Sequence, residues 1–208
     1  MNIIIFGYAG SGKGTQADLV AKNYGLYHVS MGDELRAEIK KASPLGKKIQ
    51  SLVNSGTLVP DEITNMLLMS VAKRHKHIIF DGYPRRDGQL QFLIKNFKID
   101  AAFEISLSEK EAIRRMTSRR ICPKCGRGYN IIYLKPKVSG VCDDDGAKLV
   151  GRADDKPDEI QKRLAIFNKN TAPMKKYYKE HKILHVIDGN RPIKDVFKDI
   201  DKVLKKIK

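Results

Sequence analysis

The stretch NIIIFGYAGSGKGTQ, residues 2–16, decides the fold. Its apolar start predicts a buried strand, and the amphipathic pattern of residues 13–24 predicts a helix after the glycines. Gly7, Gly12 and Lys13 have the spacing of a phosphate-binding loop, in which backbone N–H groups surround phosphate oxygens and the lysine neutralises their charge. Such a loop stands between a strand and a helix N-terminus, so the sequence predicts a nucleoside triphosphate site here.

The alternation of apolar runs and amphipathic segments continues along the 208 residues. Further strands are predicted at 27–30, 77–81, 101–106 and 183–188. Further helices are predicted at 32–42, 61–74, 88–97, 109–120, 157–181 and 193–207. This order is typical of an α/β protein, and we predict a P-loop-type three-layer core with a parallel sheet of about five strands.

Two segments interrupt this alternation. Residues 30–59 contain two helical pieces, and residues 121–155 contain all the cysteines, several glycines and a hairpin-like pattern. Both are short enough to be insertions into one larger domain. We therefore expect a core formed by 1–29, 60–120 and 156–208.

Composition and cysteine use indicate the cellular setting. No run of about 18 apolar residues is present, so we expect no membrane span or membrane partner. The N-terminus has neither a basic region nor a cleavage site, so we expect no signal peptide. Three cysteines without a secretory signal indicate a reducing compartment. The sequence therefore predicts a cytoplasmic location.

The formal net charge of +16 indicates an anionic partner. Nucleotide phosphates, nucleic acid and a membrane surface are all candidates. Much of the charge lies in lysine-rich segments of the C-terminal third, where aromatic residues are sparse. That pattern favours a solvated helix face, so we expect no nucleic-acid partner.

Arginines stand at the boundaries of the predicted segments. These are Arg36, Arg85, Arg119, Arg120, Arg152 and Arg163, with Arg119 and Arg120 predicted to close the helix at 109–120. A phosphate loop alone does not distinguish a kinase from a switch GTPase or a nucleic-acid-driven ATPase, but the guanine-reading pattern N-K-x-D is absent. Phosphoryl transfer between two nucleotides gathers negative charge and needs fixed cations, so the arginines favour a nucleotide kinase.

Six segments together resemble the adenylate kinase family over essentially the whole chain. They are GSGKGTQ, TLVPDEI, DGYPR, RRICPKCG, GRADD and RL…Y. The resemblance implies reversible phosphoryl transfer from ATP·Mg to AMP, giving two ADP. It also implies that 30–59 binds the nucleoside monophosphate, that 121–155 is a lid, and that the protein is a monomer.

The resemblance also assigns the ATP and transfer residues. The loop residues Gly10, Ser11, Gly12, Lys13, Gly14 and Thr15 are expected to bind the ATP phosphates, with Mg²⁺ near Thr15. Asp81 is expected to hold Mg²⁺ through water, and the backbone near Arg191 to contact the ATP adenine. The expected catalytic residues are Lys13, Arg85, Arg119, Arg152 and Arg163, with Asp154 and Asp155 steadying the arginines. No general base is expected, because a phosphate oxygen of AMP is already a nucleophile at neutral pH.

The acceptor pocket follows from the same resemblance. Arg36 and Arg85 are expected to bind the AMP phosphate, Gln89 its adenine, and Thr57, Val59 and Gly82 to line the pocket. Two positions depart from the family pattern. Met31 replaces a threonine that contacts the AMP nucleoside, and Ala9 replaces a proline in the loop. The amide of Gln89 can both donate and accept, which favours AMP, but a broader or pyrimidine acceptor range stays an alternative.

The cysteines form two short motifs, Cys122-x2-Cys125 and Cys142-x2-Asp145. Two knuckles separated by a hairpin-like segment have the spacing of a tetrahedral zinc site. A disulfide, a metal-free lid, and ligation by Asp143 or Asp144 are the alternatives. The family resemblance includes zinc lids with three cysteines and one aspartate, which implies structural Zn²⁺ on Cys122, Cys125, Cys142 and Asp145.

A rival from another class is a nucleic-acid-binding ATPase whose zinc knuckles and positive charge contact RNA or DNA. It gives no role to the boundary arginines, so we rank it below a nucleotide kinase. The five histidines, His28, His75, His77, His181 and His185, are not grouped at the spacing of metal ligands or a catalytic triad. We expect them to be structural.

Overall fold

The computed structural model describes residues 1–55, 57–152 and 155–207. Its central sheet has five parallel strands in the order β2-β3-β1-β4-β7. The strands are β1 (Asn2–Phe6), β2 (Tyr27–Ser30), β3 (Ile78–Asp81), β4 (Ala101–Ser106) and β7 (Leu184–Asp188). The predicted α/β fold with a five-stranded parallel sheet is confirmed, and each predicted strand lies within a residue of the observed one.

Eight helices are described: α1 (Lys13–Tyr24), α2 (Met31–Lys40), α3 (Pro44–Asn54), α4 (Asp61–Ala72), α5 (Asp87–Asn96), α6 (Glu109–Thr117), α7 (Pro157–Glu180) and α8 (Ile193–Ile207). Helices α2 and α3 form the segment that interrupts the alternation after β2. Both begin at a serine cap: Ser30 accepts from the N–H of Asp33, and Ser43 accepts from the N–H of Gly46. Within the described ranges, no helix is long and apolar enough to span a bilayer.

The central strand β1 shows why the sheet is covered on both faces. Ile3 and Ile5 pack in one apolar cluster with residues of α1 and α8, whereas Ile4 and Phe6 pack in another with residues of α4, α5 and α7. All four side chains are almost fully buried. A strand that is apolar at every position needs helices on both sides, which gives the three layers.

The entry to the lid differs from the sequence prediction. Helix α6 ends at Thr117, and Arg119 and Arg120 begin β5 (Arg119–Ile121), which pairs antiparallel with β6 (Gly128–Asn130). The prediction that both arginines close the helix was therefore wrong. The hydroxyl of Ser118 donates to a carbonyl of the last helical turn, and the strand partners supply the backbone hydrogen bonds that a longer helix would have made.

The lid contains two short turns rather than one long hairpin. The first joins β5 to β6 and contains Cys122 and Cys125, and the second lies between the bridged residues Val141 and Lys148. Among the residues that the structure describes, its apolar cluster consists of Cys122, Tyr129, Cys142, Leu149 and Ala147. So small a cluster provides little of the burial that stabilises larger domains.

Candidate active site

The phosphate loop is shaped by glycines with positive φ. Gly12 has a φ of 89° and caps α1, so the N-terminus of this helix opens toward the loop. A Cβ on Gly7 would lie 2.5 Å from a carbonyl oxygen of β4, which leaves no room for any other residue. The N–H of Ser11 donates to the carbonyl oxygen of Tyr8 (3.1 Å), and Nζ of Lys13 lies 3.3 Å from the same oxygen. Lys13 is therefore held within the curve of the loop.

The side chain of Tyr8 anchors this loop to two helices. Its hydroxyl lies 2.5 Å from Oδ1 of Asn168 and 3.2 Å from Oε1 of Glu109. Its ring packs on Phe167, with the centroids 4.6 Å apart. The sequence analysis assigned no role to Tyr8, because a residue at that loop position has no signature of its own. Its contacts fix the loop against α6 and α7.

Three predicted arginines lie within electrostatic reach of Lys13. Burial lowers the pKa of the Lys13 ammonium to about 8, and Arg85, Arg119 and Arg163 lower it too, against the opposing effect of Asp81. These arginines come from the segment after β3, from β5 and from α7. The fold thus brings cations from distant parts of the sequence into one electrostatic neighbourhood.

Asp155 orients two of these arginines. Its carboxylate accepts from Nε and Nη2 of Arg119 at 2.8 and 2.5 Å, and from Nη1 of Arg163 at 3.2 Å. The Asp155 side chain is only 6% exposed, so these charge-assisted bonds are shielded from water. Asp154, predicted to act beside it, lies outside the described residues.

Arg36 and Arg152 both act on Asp33 of α2. Nη2 of Arg36 lies 2.6 Å from Oδ1 of Asp33. Burial raises the pKa of Asp33, but Arg36, a hydrogen bond from Ser30 and, more weakly, Arg152 lower it overall. Arg152, at the end of the lid, therefore lies within electrostatic reach of α2.

One cavity lies between the phosphate loop, α2, the segment before α4, the connection from β3 to α5, and α7. The predicted residues that line it are Lys13, Met31, Arg36, Thr57, Val59, Gly82, Arg85, Gln89 and Arg163. Apolar side chains of Leu35, Val53 and Met174 contribute to its wall. The mixture of cations with an apolar wall suits a ligand that has phosphate at one end and a flat base at the other.

Arg86 holds one edge of this cavity in place. Its Nε lies 2.7 Å from Oδ1 of Asp61, and its Nη2 donates to the carbonyl oxygen of Val59 at 2.9 Å. The sequence analysis passed over Arg86, although it is the second arginine of DGYPRR. It ties the segment before α4 to the connection that carries Arg85.

Asp81 ends β3 beside the phosphate loop. Oδ1 of Asp81 is buried and has no hydrogen-bond partner among the described residues, while Oδ2 lies 3.5 Å from Nε2 of His28. Burial alone would lower the pKa of His28, but hydrogen bonds to Asp18 and Asp81 raise it to about 9. His28 is therefore a cation at neutral pH. It lies at the edge of the site, which its spacing in the sequence did not indicate.

The other four histidines lie elsewhere, in structural contacts. His75 stacks on Tyr27, His77 lies against the N-terminal amine, His181 contacts the last turn of α7, and His185 packs on a ring of β4. The turn that follows β7 borders the phosphate loop. A Cβ on Gly189 would lie 3.4 Å from the carbonyl oxygen of Ser11. Arg191, two residues later, pairs its side chain with Asp199 of α8.

The lid brings together the four predicted metal ligands. Their ligand atoms all lie within 4.8 Å of one another: Cys122, Cys125, Cys142 and Asp145. Sγ of Cys125 and Sγ of Cys142 are 3.6 Å apart, and Sγ of Cys122 lies 3.3 Å from Oδ2 of Asp145. By contrast, Asp144 pairs with Arg127 at the surface. Each turn supplies two of the four groups.

Comparison with known proteins places the chain in a family. The adenylate kinase family model matches residues 5–183. The chain belongs to the adenylate kinase family. It is 43% identical to an adenylate kinase of Pyrococcus furiosus, over 98% of this chain and 96% of the relative. It is 41% identical to one of Fervidobacterium nodosum, over 98% and 97%, and 43% identical to one of Ureaplasma urealyticum serovar 10, over the full length of both.

Three residues near the cavity were identified from the structure and not from the sequence. Tyr8, Thr64 and Arg86 contact the cavity or its supporting segments, and the sequence analysis named none of them. For Thr64, the available signal was its four-residue spacing from Leu68 and then Ala72, which places all three on the buried face of α4. For Tyr8 and Arg86 the contacts join elements far apart in sequence, so no local pattern could indicate them.

Proposed function

We propose that this chain transfers a phosphoryl group reversibly from ATP to AMP, giving two ADP, with AMP in the cavity and ATP on the phosphate loop. The observation that carries the proposal is the gathering of Lys13, Arg85 and Arg163 at a cavity that also contains Gln89, with Arg119 within electrostatic reach of Lys13. Two polyphosphates brought together need several fixed cations, and a hydrolytic ATPase would not need a second base-binding pocket. Membership in the adenylate kinase family supports the same reaction.

Alignment and charge neutralisation account for catalysis in this proposal. The AMP phosphate is already anionic, so it attacks the terminal phosphorus of ATP without a general base. Arg36 and Arg85 hold the attacking phosphate, while Lys13 neutralises the donor. Arg119 and Arg163, oriented by Asp155 before substrate binds, stabilise charge on the transferring group. Arg152, at the end of the lid, is the last of the arginines proposed to stabilise this charge.

Magnesium fits the residues beside the loop. The buried Oδ1 of Asp81, which has no hydrogen-bond partner in the described part of the chain, is an oxygen ligand of the kind Mg²⁺ prefers. Asp81, acting through water, and the Thr15 hydroxyl would hold the ion. When bound, Mg²⁺ neutralises charge on the ATP phosphates.

Zinc fits the lid cluster. In a tetrahedral site with Zn–S bonds of about 2.3 Å, two sulfurs are about 3.8 Å apart, close to the 3.6 Å between Cys125 and Cys142. Cys122 and Asp145 would complete the site, so all four positions are protein ligands and the role is structural. A zinc ion on these four residues would hold together the two turns of a segment whose described residues form a small apolar cluster.

AMP is the proposed acceptor, although Met31 stands where a threonine is expected. Met31 is almost fully buried and lines the cavity, so it offers apolar contact in place of a hydroxyl. A broader acceptor range is the alternative that this position supports. We also propose a cytoplasmic monomer with no nucleic-acid partner, and the three free cysteines suit a reducing compartment.

The reaction is tested by following all three nucleotides by chromatography. ATP and AMP with Mg²⁺ should give two ADP per ATP consumed, and ADP alone should give ATP and AMP. Arg85→Ala should lower kcat by about a hundredfold or more, whereas Arg74→Ala, outside the cavity, should not. Release of ADP and inorganic phosphate with AMP unconsumed would contradict the proposal.

A further inference from the structure

We propose that Thr64 determines which purine the acceptor pocket takes, by fixing the orientation of the Gln89 amide. The inference rests on the proposed function, because it concerns the base of the nucleoside monophosphate in the same cavity. Both residues line that cavity, and both are almost fully buried. A buried amide whose two ends are both fixed presents one pattern of donor and acceptor to a ligand.

The backbone N–H of Arg85 fixes the oxygen end of the amide. Oε1 of Gln89 lies 2.8 Å from this nitrogen. A backbone N–H can only donate, so the group that faces it must be the amide oxygen. If the amide turned over, an NH2 group would face an N–H, and neither would have an acceptor.

The hydroxyl of Thr64 fixes the nitrogen end. Nε2 of Gln89 lies 3.1 Å from Oγ1 of Thr64. The same Oγ1 lies 3.1 Å from the carbonyl oxygen of Asp61 and 3.3 Å from that of Pro60. Carbonyl oxygens only accept, so the hydroxyl hydrogen of Thr64 is used there, and its lone pair is left to accept from Gln89. Helix α4 thereby imposes the orientation of a side chain on α5.

The fixed amide retains one N–H and one oxygen lone pair for the base. Adenine offers an acceptor at N1 and a donor at its 6-amino group, which match these two groups. Hypoxanthine offers a donor at N1–H and an acceptor at O6, which match only the opposite orientation of the amide. The pocket therefore prefers AMP to IMP through polarity rather than through shape, and a buried polar mismatch is a strong discriminator.

The test is the ratio of kcat/KM for AMP to kcat/KM for IMP, measured on each variant. Thr64→Val removes the hydroxyl that accepts from Nε2 of Gln89, and it should lower this ratio about tenfold. In the unaltered protein, turning the Gln89 amide over breaks its hydrogen bonds to both Arg85 and Thr64, whereas in the variant only the bond to Arg85 is broken. Thr64→Ala should lower the ratio similarly. Thr64→Ser, which keeps the hydroxyl, should preserve it. Both substrates are assayed on one preparation, so the ratio does not depend on how much of the variant folds.

The control is Ser70→Ala, which removes an exposed hydroxyl that donates to a carbonyl of the same helix. It should leave the ratio unchanged. An unchanged ratio in Thr64→Val and Thr64→Ala, or an equal fall in Thr64→Ser, would overturn the inference while leaving AMP as the substrate. Failure of the unaltered protein to form ADP from ATP and AMP would instead overturn the proposed function.

Discussion

At the scale of single residues, Asp155 shows how charge is arranged before substrates bind. Two arginines that would otherwise repel each other share one buried carboxylate, which also sets the plane of the Arg119 guanidinium through two bonds. An arginine fixed in this way loses little conformational freedom when it meets a phosphate. Lysine cannot make the same paired contact.

We therefore predict that Arg119→Lys lowers kcat by about a hundredfold while the KM for AMP changes little, because the charge remains but its orientation is lost. Initial rates with each substrate varied will separate the two constants. Arg114→Lys, an exposed exchange on α6, is the matched control and should behave as the unaltered chain. Equal rates for Arg119→Lys and the control would contradict this role of Arg119.

Lys13 gives a prediction about pH. Its pKa in the unliganded protein is about 8, so the ammonium is lost as the pH rises through that value, and ATP binding should weaken. In the complex the ATP phosphates raise the pKa again, so kcat should stay level. The measurement is kcat/KM for ATP and kcat between about pH 7 and pH 9.5. A kcat/KM that stays flat, or that rises above pH 8, would contradict the prediction.

At the scale of elements, the cavity depends on the contact between the segment before α4 and the connection from β3 to α5. Arg86 makes this contact through Asp61 and the carbonyl oxygen of Val59. Both partners of Arg86 lie at or before the start of α4, whereas Arg86 lies between β3 and α5. Arg86 therefore helps to hold this edge of the cavity in position.

We expect Arg86→Gln to raise the KM for AMP about tenfold. The substitution removes the charged donor that Arg86 offers to Asp61 and to the carbonyl oxygen of Val59. The KM for ATP should change little, since the phosphate loop makes none of these contacts. Arg120→Gln, on the lid strand, serves as the control. A rise in the KM for ATP that equals the rise for AMP would indicate general distortion and contradict the role given to Arg86.

The sequence predicted the sheet and the helices because their signals are local, and its resemblance to a known family pointed to nine of the residues that line the cavity. Apolar runs marked the strands, and the loop motif marked the triphosphate site. It missed Thr64, Tyr8 and Arg86, whose contacts join elements distant in sequence, and it extended α6 through Arg120. That last error arose because nothing local in TSRRI shows that a strand partner will arrive from residues 128–130.

At the scale of the whole molecule, the lid is the part with the least apolar burial of its own. Its two turns contribute two ligand groups each to one cluster, so a metal would join them directly. The lid also carries Arg119 at its start and Arg152 at its end. Under the proposed function, its internal stability would therefore affect both the fold and the placement of these two arginines.

The zinc proposal predicts about one zinc per chain in protein purified without chelator, measured by elemental analysis. Asp145→Ala should lose most of the metal and lower the Tm, because one of four ligands is removed. Asp144→Ala is the control, since this neighbouring carboxylate pairs with Arg127 instead. Zinc well below one per chain, or loss of zinc from Asp144→Ala but not from Asp145→Ala, would show that the proposed ligand set is wrong.

The proposed function requires one cavity that accepts AMP and places it for phosphoryl transfer from ATP. It is tested most directly by initial rates of ADP formation from ATP with AMP, CMP, UMP and GMP supplied separately under identical conditions. We expect AMP to give a kcat/KM at least about a hundredfold above GMP and UMP, whose donor and acceptor are reversed relative to adenine, and above CMP, whose groups match the fixed Gln89 amide but whose single ring fills less of the cavity. AMP that is no better an acceptor than CMP, UMP or GMP would contradict it.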